Sequence, residues 1–103
     1  MTESPLVPEL DGLVHEPARL RLLTYLSLLE RADFVYLLAQ SGLSKGNLSV
    51  QMSNLKEAGL VQVEKEFVDN RPRTTYSLTS AGRTRLASYR RTLEAILDAL
   101  PRG

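Results

Sequence analysis

Cysteine and tryptophan are absent from the 103 residues, histidine occurs once, and aromatic side chains make up only 6%. Without cysteine there is no disulfide framework, no thiolate metal site and no thiol redox sensor. A lone His15 cannot assemble a metal site, so neither a metal nor another cofactor is expected. No apolar run approaches the roughly 20 residues of a membrane span. Met1–Glu9 contains Glu3, Pro5, Pro8 and Glu9 instead of a basic stretch followed by an apolar one. That segment reads as a disordered tail over 1–9, not a signal peptide, ahead of a single domain over 10–103. The expected location is cytoplasmic, with no membrane partner. A phosphate-cradling glycine loop, a metal-ligand cluster and a nucleophile–base pair are all missing, which argues against an enzyme.

The hydrophobic fraction of 43% suits a globular chain with a modest core. The net charge of +1 hides an asymmetry. Residues 1–42 carry three basic against six acidic side chains, and residues 43–103 carry ten against six. A basic carboxy-terminal part suits a nucleic-acid partner.

Apolar residues mark the elements. Val7, Leu10, Leu13 and Val14 recur at helical spacing and predict a short helix before Pro17. Pro17 opens a second helix, whose leucines and Tyr25 cover more than one face up to Leu29. One side of it would meet its own domain and the other a partner subunit, unless the helix is central and wrapped on both sides by its own chain. Asp33 caps a helix over about Phe34–Gln40, with Phe34, Leu37 and Leu38 inward, and Ser41-Gly42 ends it. Ser44 caps the next helix, Lys45 to about Ala58, and Gly59 stops it. There Leu48, Met52 and Leu55 form a narrow apolar stripe. The opposite face is rich in Asn and Ser, which give up helix propensity and suit a surface kept for contact.

Val61 and Val63 alternate with polar residues, as do Tyr76 and Leu78, so a hairpin is expected, with Phe67–Arg73 as its loop. Thr79 caps a last helix running to about Ala99. In it Leu86, Leu93 and Leu100 are seven apart, with Tyr89, Ile96 and Leu97 between them, the pattern of a helix–helix seam. The architecture is mainly α with a small β-hairpin wing (α+β): helix, turn, helix, strand, wing, strand, flanked by terminal helices.

Leu55-Lys56-Glu57-Ala58-Gly59-Leu60-Val61, then Tyr76-Ser77-Leu78-Thr79-Ser80-Ala81-Gly82, together with His15-Glu16-Pro17-Ala18-Arg19-Leu20 and Gly42-Leu43-Ser44-Lys45-Gly46-Asn47-Leu48-Ser49, resemble the small winged helix-turn-helix regulators related to the MarR and ArsR families. The resemblance spans about Leu10 to Leu93. It implies a homodimeric transcriptional regulator, a repressor, whose partners are double-stranded DNA and a second copy of itself. By that match Ser44, Lys45, Asn47, Ser49, Val50, Gln51, Ser53 and Asn54 lie on the recognition helix in the major groove. Asn47 and Gln51 would specify bases and Val50 would meet a thymine methyl. Lys65, Asn70, Arg71 and Arg73 would carry the wing to the minor groove or its phosphates. Leu10, Leu13, Leu22, Leu86, Tyr89, Leu93, Ile96, Leu97 and Leu100 would pair the subunits. No convergent polar cluster marks a pocket for a small-molecule effector.

The recognition helix holds only Lys45 and Lys56 as bases, and Glu64 and Glu66 sit on the wing strand. Weak charge favours a dimer engaging two half-sites. It also leaves open a rival function, a winged-helix protein-interaction module. Ser53-Asn54-Leu55-Lys56 and Asn47-Leu48-Ser49 match a β-lactamase-type and a glycosylation pattern, but the companion motifs and context of both are missing. His15 reads as a capping or packing residue, and Arg90-Arg91 as a solvated helix face.

Overall fold

Proline opens one helix and three oxygen-bearing side chains open the others in the computed structural model, which describes residues 5–103. Helix α1 (Pro17–Leu29) starts with Pro17, where no N–H partner is lost, and Glu16 accepts the Arg19 N–H at 2.8 Å. That bond holds the Glu16 carboxyl below the usual carboxylate range. Strand β1 (Arg31–Asp33) leads directly into α2 (Phe34–Ser41), with Asp33 accepting from the Tyr36 N–H at 2.7 Å. Gly42 closes α2 with φ +71°, a left-handed conformation that costs glycine little. Ser44 caps α3 (Lys45–Glu57) through the Asn47 N–H, and Thr79 caps α4 (Ser80–Ala99) through the Gly82 N–H.

Strands β2 (Val61–Val68) and β3 (Arg71–Leu78) form an antiparallel hairpin, and β1 pairs with the far side of β3 to give the order β1-β3-β2. The third strand was not foreseen. Its three residues contain one apolar side chain, Ala32, too little for a period-two signal. The hairpin is also longer than expected. The loop anticipated over Phe67–Arg73 is a two-residue turn at Asp69 and Asn70, which take φ values of +53° and +63°. Two positive φ angles make a type I′ turn, whose twist matches that of the strands it joins. Phe67 pairs with Pro72 and Val68 with Arg71 right up to it.

Val7 to Val14 forms no helix; the segment is extended and turned. Pro8 and Gly12 interrupt it, one by removing a backbone donor and the other by its low helix propensity. Side-chain anchors fix it instead. Asp11 accepts the Leu13 N–H at 3.0 Å and binds Arg85 of α4 through two contacts of 2.5 and 3.1 Å. The Arg85 guanidinium holds the Asp11 carboxyl below its ordinary range. His15 Nδ1 lies 2.8 Å from the Tyr89 hydroxyl, and Val14 is fully buried. Of the expected tail, residues 1–4 lie outside the described residues, and Pro5–Glu9 are exposed without helix or strand.

The core gathers Leu22, Leu23 and Leu26 of α1, Leu37 of α2, Leu48, Met52 and Leu55 of α3, and Val61, Tyr76 and Leu78 of the sheet. Each fully buried leucine contributes about 1.5–3 kcal/mol. Helix α4 joins this core at a fixed point. Thr79 donates its N–H to the Leu60 carbonyl at 3.0 Å and its hydroxyl to the Gly59 carbonyl at 2.6 Å. Gly82 then presses so close that a Cβ there would sit 2.1 Å from the Leu60 oxygen. From this point α4 extends for 20 residues, about 30 Å, and the molecule measures 59 × 33 × 22 Å.

Candidate nucleic-acid interface

Helix α3 buries only the stripe of Leu48, Met52 and Leu55, so most of its circumference is left free. Around the wheel Gly46, Val50, Ser53, Asn54 and Glu57 point away from the core, with Lys45, Ser49 and Lys56 on the wing side and Asn47 and Gln51 on the α1 side. Seven of the eight residues expected on this surface are exposed, counting the cap Ser44. Gln51 is the exception. It is half-buried, its Oε1 accepts from Arg19 Nη1 at 3.1 Å, and its Nε2 donates to Asn47 Oδ1 at 3.1 Å. Both ends of its amide are engaged inside the protein, so Gln51 links α1 to Asn47.

Arg19 was not singled out in the sequence, yet it is the hub of this side. It also donates from Nε to the Leu13 carbonyl at 2.6 Å and lies 3.9 Å from the Glu16 carboxylate. Nothing in the sequence near Arg19 announces a partner 32 positions away.

On the other flank a cleft of roughly 400 Å³ separates α3 from the hairpin. Ser49, Ser53 and Lys56 line one wall, Lys65, Thr74 and Tyr76 the other. Two ammonium groups and several hydroxyls facing one cleft make a surface suited to phosphate. Burial pushes the Tyr76 phenol above its ordinary pKa, so it stays neutral. Lys56 was not among the expected contacts, because its place near the helix end gave no hint that the wing folds back beside it.

The hairpin divides its residues between two faces. Val61, Val63, Lys65 and Phe67 share the face toward α3 with Leu78, Tyr76, Thr74 and Pro72. The other face carries Gln62, Glu64, Glu66 and Val68 beside Ser77, Thr75, Arg73 and Arg71. There Arg31 contacts Glu64 at 3.2 Å and Arg73 contacts Asp33 at 3.7 Å. Arg71 and Asn70 stand at the tip as expected. Arg73 does not: it is held back by the capping residue of α2, on the face away from α3.

The expected seam divides too. Leu22 is fully covered by this chain alone and Tyr89 almost so. Both belong to the core, which corrects their assignment to a subunit contact. Leu10, Leu13, Leu86 and Leu93 pack partly against that core, and Ile96 is half-buried. Leu97 and Leu100 remain 57% and 56% exposed, and Leu28 of α1, not foreseen, is 75% exposed. Between α1 and α4 runs an apolar groove of roughly 500 Å³ lined by Leu20, Leu28, Leu86 and Leu93. Among the described residues no three His, Asp or Glu side chains cluster as a metal site, and no helix is long and apolar enough to cross a membrane.

Comparison with known proteins agrees with this fold. Residues 18–97 match the winged helix DNA-binding domain family. An uncharacterized protein of Methanocaldococcus jannaschii is 32% identical over 71 residues, 69% of this chain and 77% of that one. The transcriptional regulator homologue of Pyrococcus horikoshii superposes with a TM-score of 0.83 at 28% identity, covering 89% of this chain and 91% of that one. A MarR-family transcriptional regulator of Silicibacter pomeroyi gives 0.64 at 28% identity, over 84% of this chain and 57% of that one. The chain belongs to the winged helix DNA-binding domain family, and the four helices and three-stranded sheet of its described residues are the fold of transcriptional regulators that include MarR-family members.

Proposed function

We propose that the protein is a sequence-specific regulator of transcription that acts as a homodimer and represses by occluding a promoter. The observation that carries this reading is the free face of α3, made of short hydrogen-bonding side chains and flanked by a lysine-lined cleft. Helix α3 fits a major groove about 12 Å wide. Asn47, Ser49, Val50, Ser53 and Asn54 meet base edges there, and Lys45 and Ser44 meet the backbone at the helix start. Gln51 acts through Asn47, fixing its amide. Lys56 and Lys65 hold the phosphate strand that passes between α3 and the wing, and Arg71 and Asn70 reach beyond it.

The apolar surface on α1 and α4 supports the pairing of two subunits. Leu28, Leu97 and Leu100 are large and exposed beside the α1–α4 groove, which a second copy would cover. A dimer sets two α3 helices on successive major grooves about 34–36 Å apart and compensates for the modest charge of each reader. Selection of bound duplexes from a random pool tests the proposal. It expects a palindromic site with half-sites one helical turn apart, and affinity that falls with salt by about 0.9 log units per phosphate neutralised. Recovery of no preferred sequence would overturn it.

A further inference from the structure

Phe67 is a large aromatic side chain left 78% exposed near the end of the hairpin. It pairs across the ladder with Pro72, also exposed. Alternation along β2 places Phe67 on the same face as Lys65 and Val63, which line the cleft beside α3. Pro72 follows Thr74 outward on that face in the same way. The apolar pair is thus a continuation of the phosphate-facing wall, one step further from the core. Lys65 and Thr74 lie on its inner side, and the next pair outward, Val68 with Arg71, belongs to the opposite face.

A solvated wing has no need of phenylalanine here, because the pair adds nothing to the core; the core ends at Tyr76 and Val63 on this face. The register is also tightly specified. A two-residue type I′ turn follows Val68 directly, so Phe67 cannot slip to the other face.

We infer that Phe67, backed by Pro72, is a minor-groove wedge: with α3 in the major groove, the wing enters the adjacent minor groove and Phe67 presses into a base step. This rests on the placement of α3 proposed above. The occupant is duplex DNA because the apolar pair continues directly from a cleft wall that carries two cations, Lys65 and Lys56, which matches a groove walled by phosphates. Phe and Pro are side chains that wedge between base steps, and opening such a step bends the duplex toward the major groove. Pyrimidine–purine steps open most easily. Phe67 would therefore make the protein prefer a TA or CA step at the wing position without any hydrogen bond to a base.

The test uses the full chain and a fluorescently end-labelled duplex selected with the unmodified protein. Phe67→Ala should weaken binding about ten-fold, as expected for the loss of one buried aromatic contact. The slope of affinity against salt should stay unchanged, and the bend reported by end-to-end energy transfer should fall. Phe67→Leu should retain most of the affinity. Replacing the flexible step opposite the wing with an A-tract should cost the unmodified protein affinity and leave Phe67→Ala indifferent. Thermal unfolding of both variants should match the parent, since the side chain is outside the core. Unaltered affinity and bend in Phe67→Ala overturn the wedge alone. Loss of self-association without DNA in Phe67→Ala also overturns it and assigns the residue to a second copy. Failure of the unmodified protein to bind any duplex overturns the wedge and the interface together.

Discussion

Arg19 of α1 donates from Nη1 to Oε1 of Gln51 on α3 at 3.1 Å, and Gln51 in turn donates to Asn47. A half-buried arginine thus sets the posture of an exposed side chain. Arg19→Ala should cost about 1–3 kcal/mol in urea unfolding, since it leaves the Leu13 carbonyl and the Gln51 amide without a charged partner. It should also flatten the preference at the base pair next to Asn47, measured by competition between the selected duplex and single-base variants. A loss of stability with preference intact would confine Arg19 to a structural role.

Gly82 and Gly46 make an opposed pair for calorimetry. A Cβ at Gly82 would collide with the Leu60 carbonyl, backbone that cannot move aside, so Gly82→Ala should destabilise by about 1–3 kcal/mol or more. Gly46 lies in the first turn of α3 with nothing within 4 Å of the added carbon. Gly46→Ala should stabilise by up to about 1 kcal/mol.

Acid should loosen the amino-terminal segment. Arg85 lowers the folded-state pKa of Asp11. The stabilisation is therefore complete above the unfolded value, about 3.9, and is lost as pH falls through the lowered folded value. Proton uptake on unfolding below about pH 4 should be smaller in Asp11→Asn than in the parent. Potentiometric difference titration in urea checks this, and identical uptake in the two proteins would contradict it.

Charge placed on the exposed leucines should separate subunits without unfolding them. Leu28→Asp combined with Leu97→Asp should shift sedimentation from dimer to monomer, with the circular dichroism spectrum retained. A parent that sediments as a monomer would remove the dimer from the proposal.

Lysines of the cleft should govern the salt response. Lys56→Ala and Lys65→Ala together should reduce the slope of log affinity against log salt by about 1.8, one phosphate each. Arg73→Ala should change it little, because that guanidinium is turned toward Asp33.

Caps and turn residues made most of the fold legible in the sequence. Pro17, Asp33, Ser44 and Thr79 each stand where a helix begins, and Gly42 and Gly59 stand where helices end, because local chemistry decides those points. Long-range pairing was harder to read. Strand β1 exists because Ala32 finds Tyr76 across the sheet, a relation invisible in three residues. The spacing of Val7, Leu10, Leu13 and Val14 satisfied a helical period, but the segment is held by Arg19, Arg85 and Tyr89 instead. The exposed face of α3 followed from its narrow apolar stripe. The roles of Gln51, Lys56 and Arg73 depended on which neighbour the fold brings beside them.

The junction of Gly82 with Leu60 also governs how motion passes between the two halves of the molecule. With no room between Cα and carbonyl, and Thr79 bonded on either side of it, the joint has no slack in which to absorb a twist. Leu60 leads straight into β2, and β2 ends at the turn beside Phe67. In the proposed dimer, a tilt imposed on α4 by a second copy would be delivered at the wing, tying the angle between subunits to the angle of the hairpin.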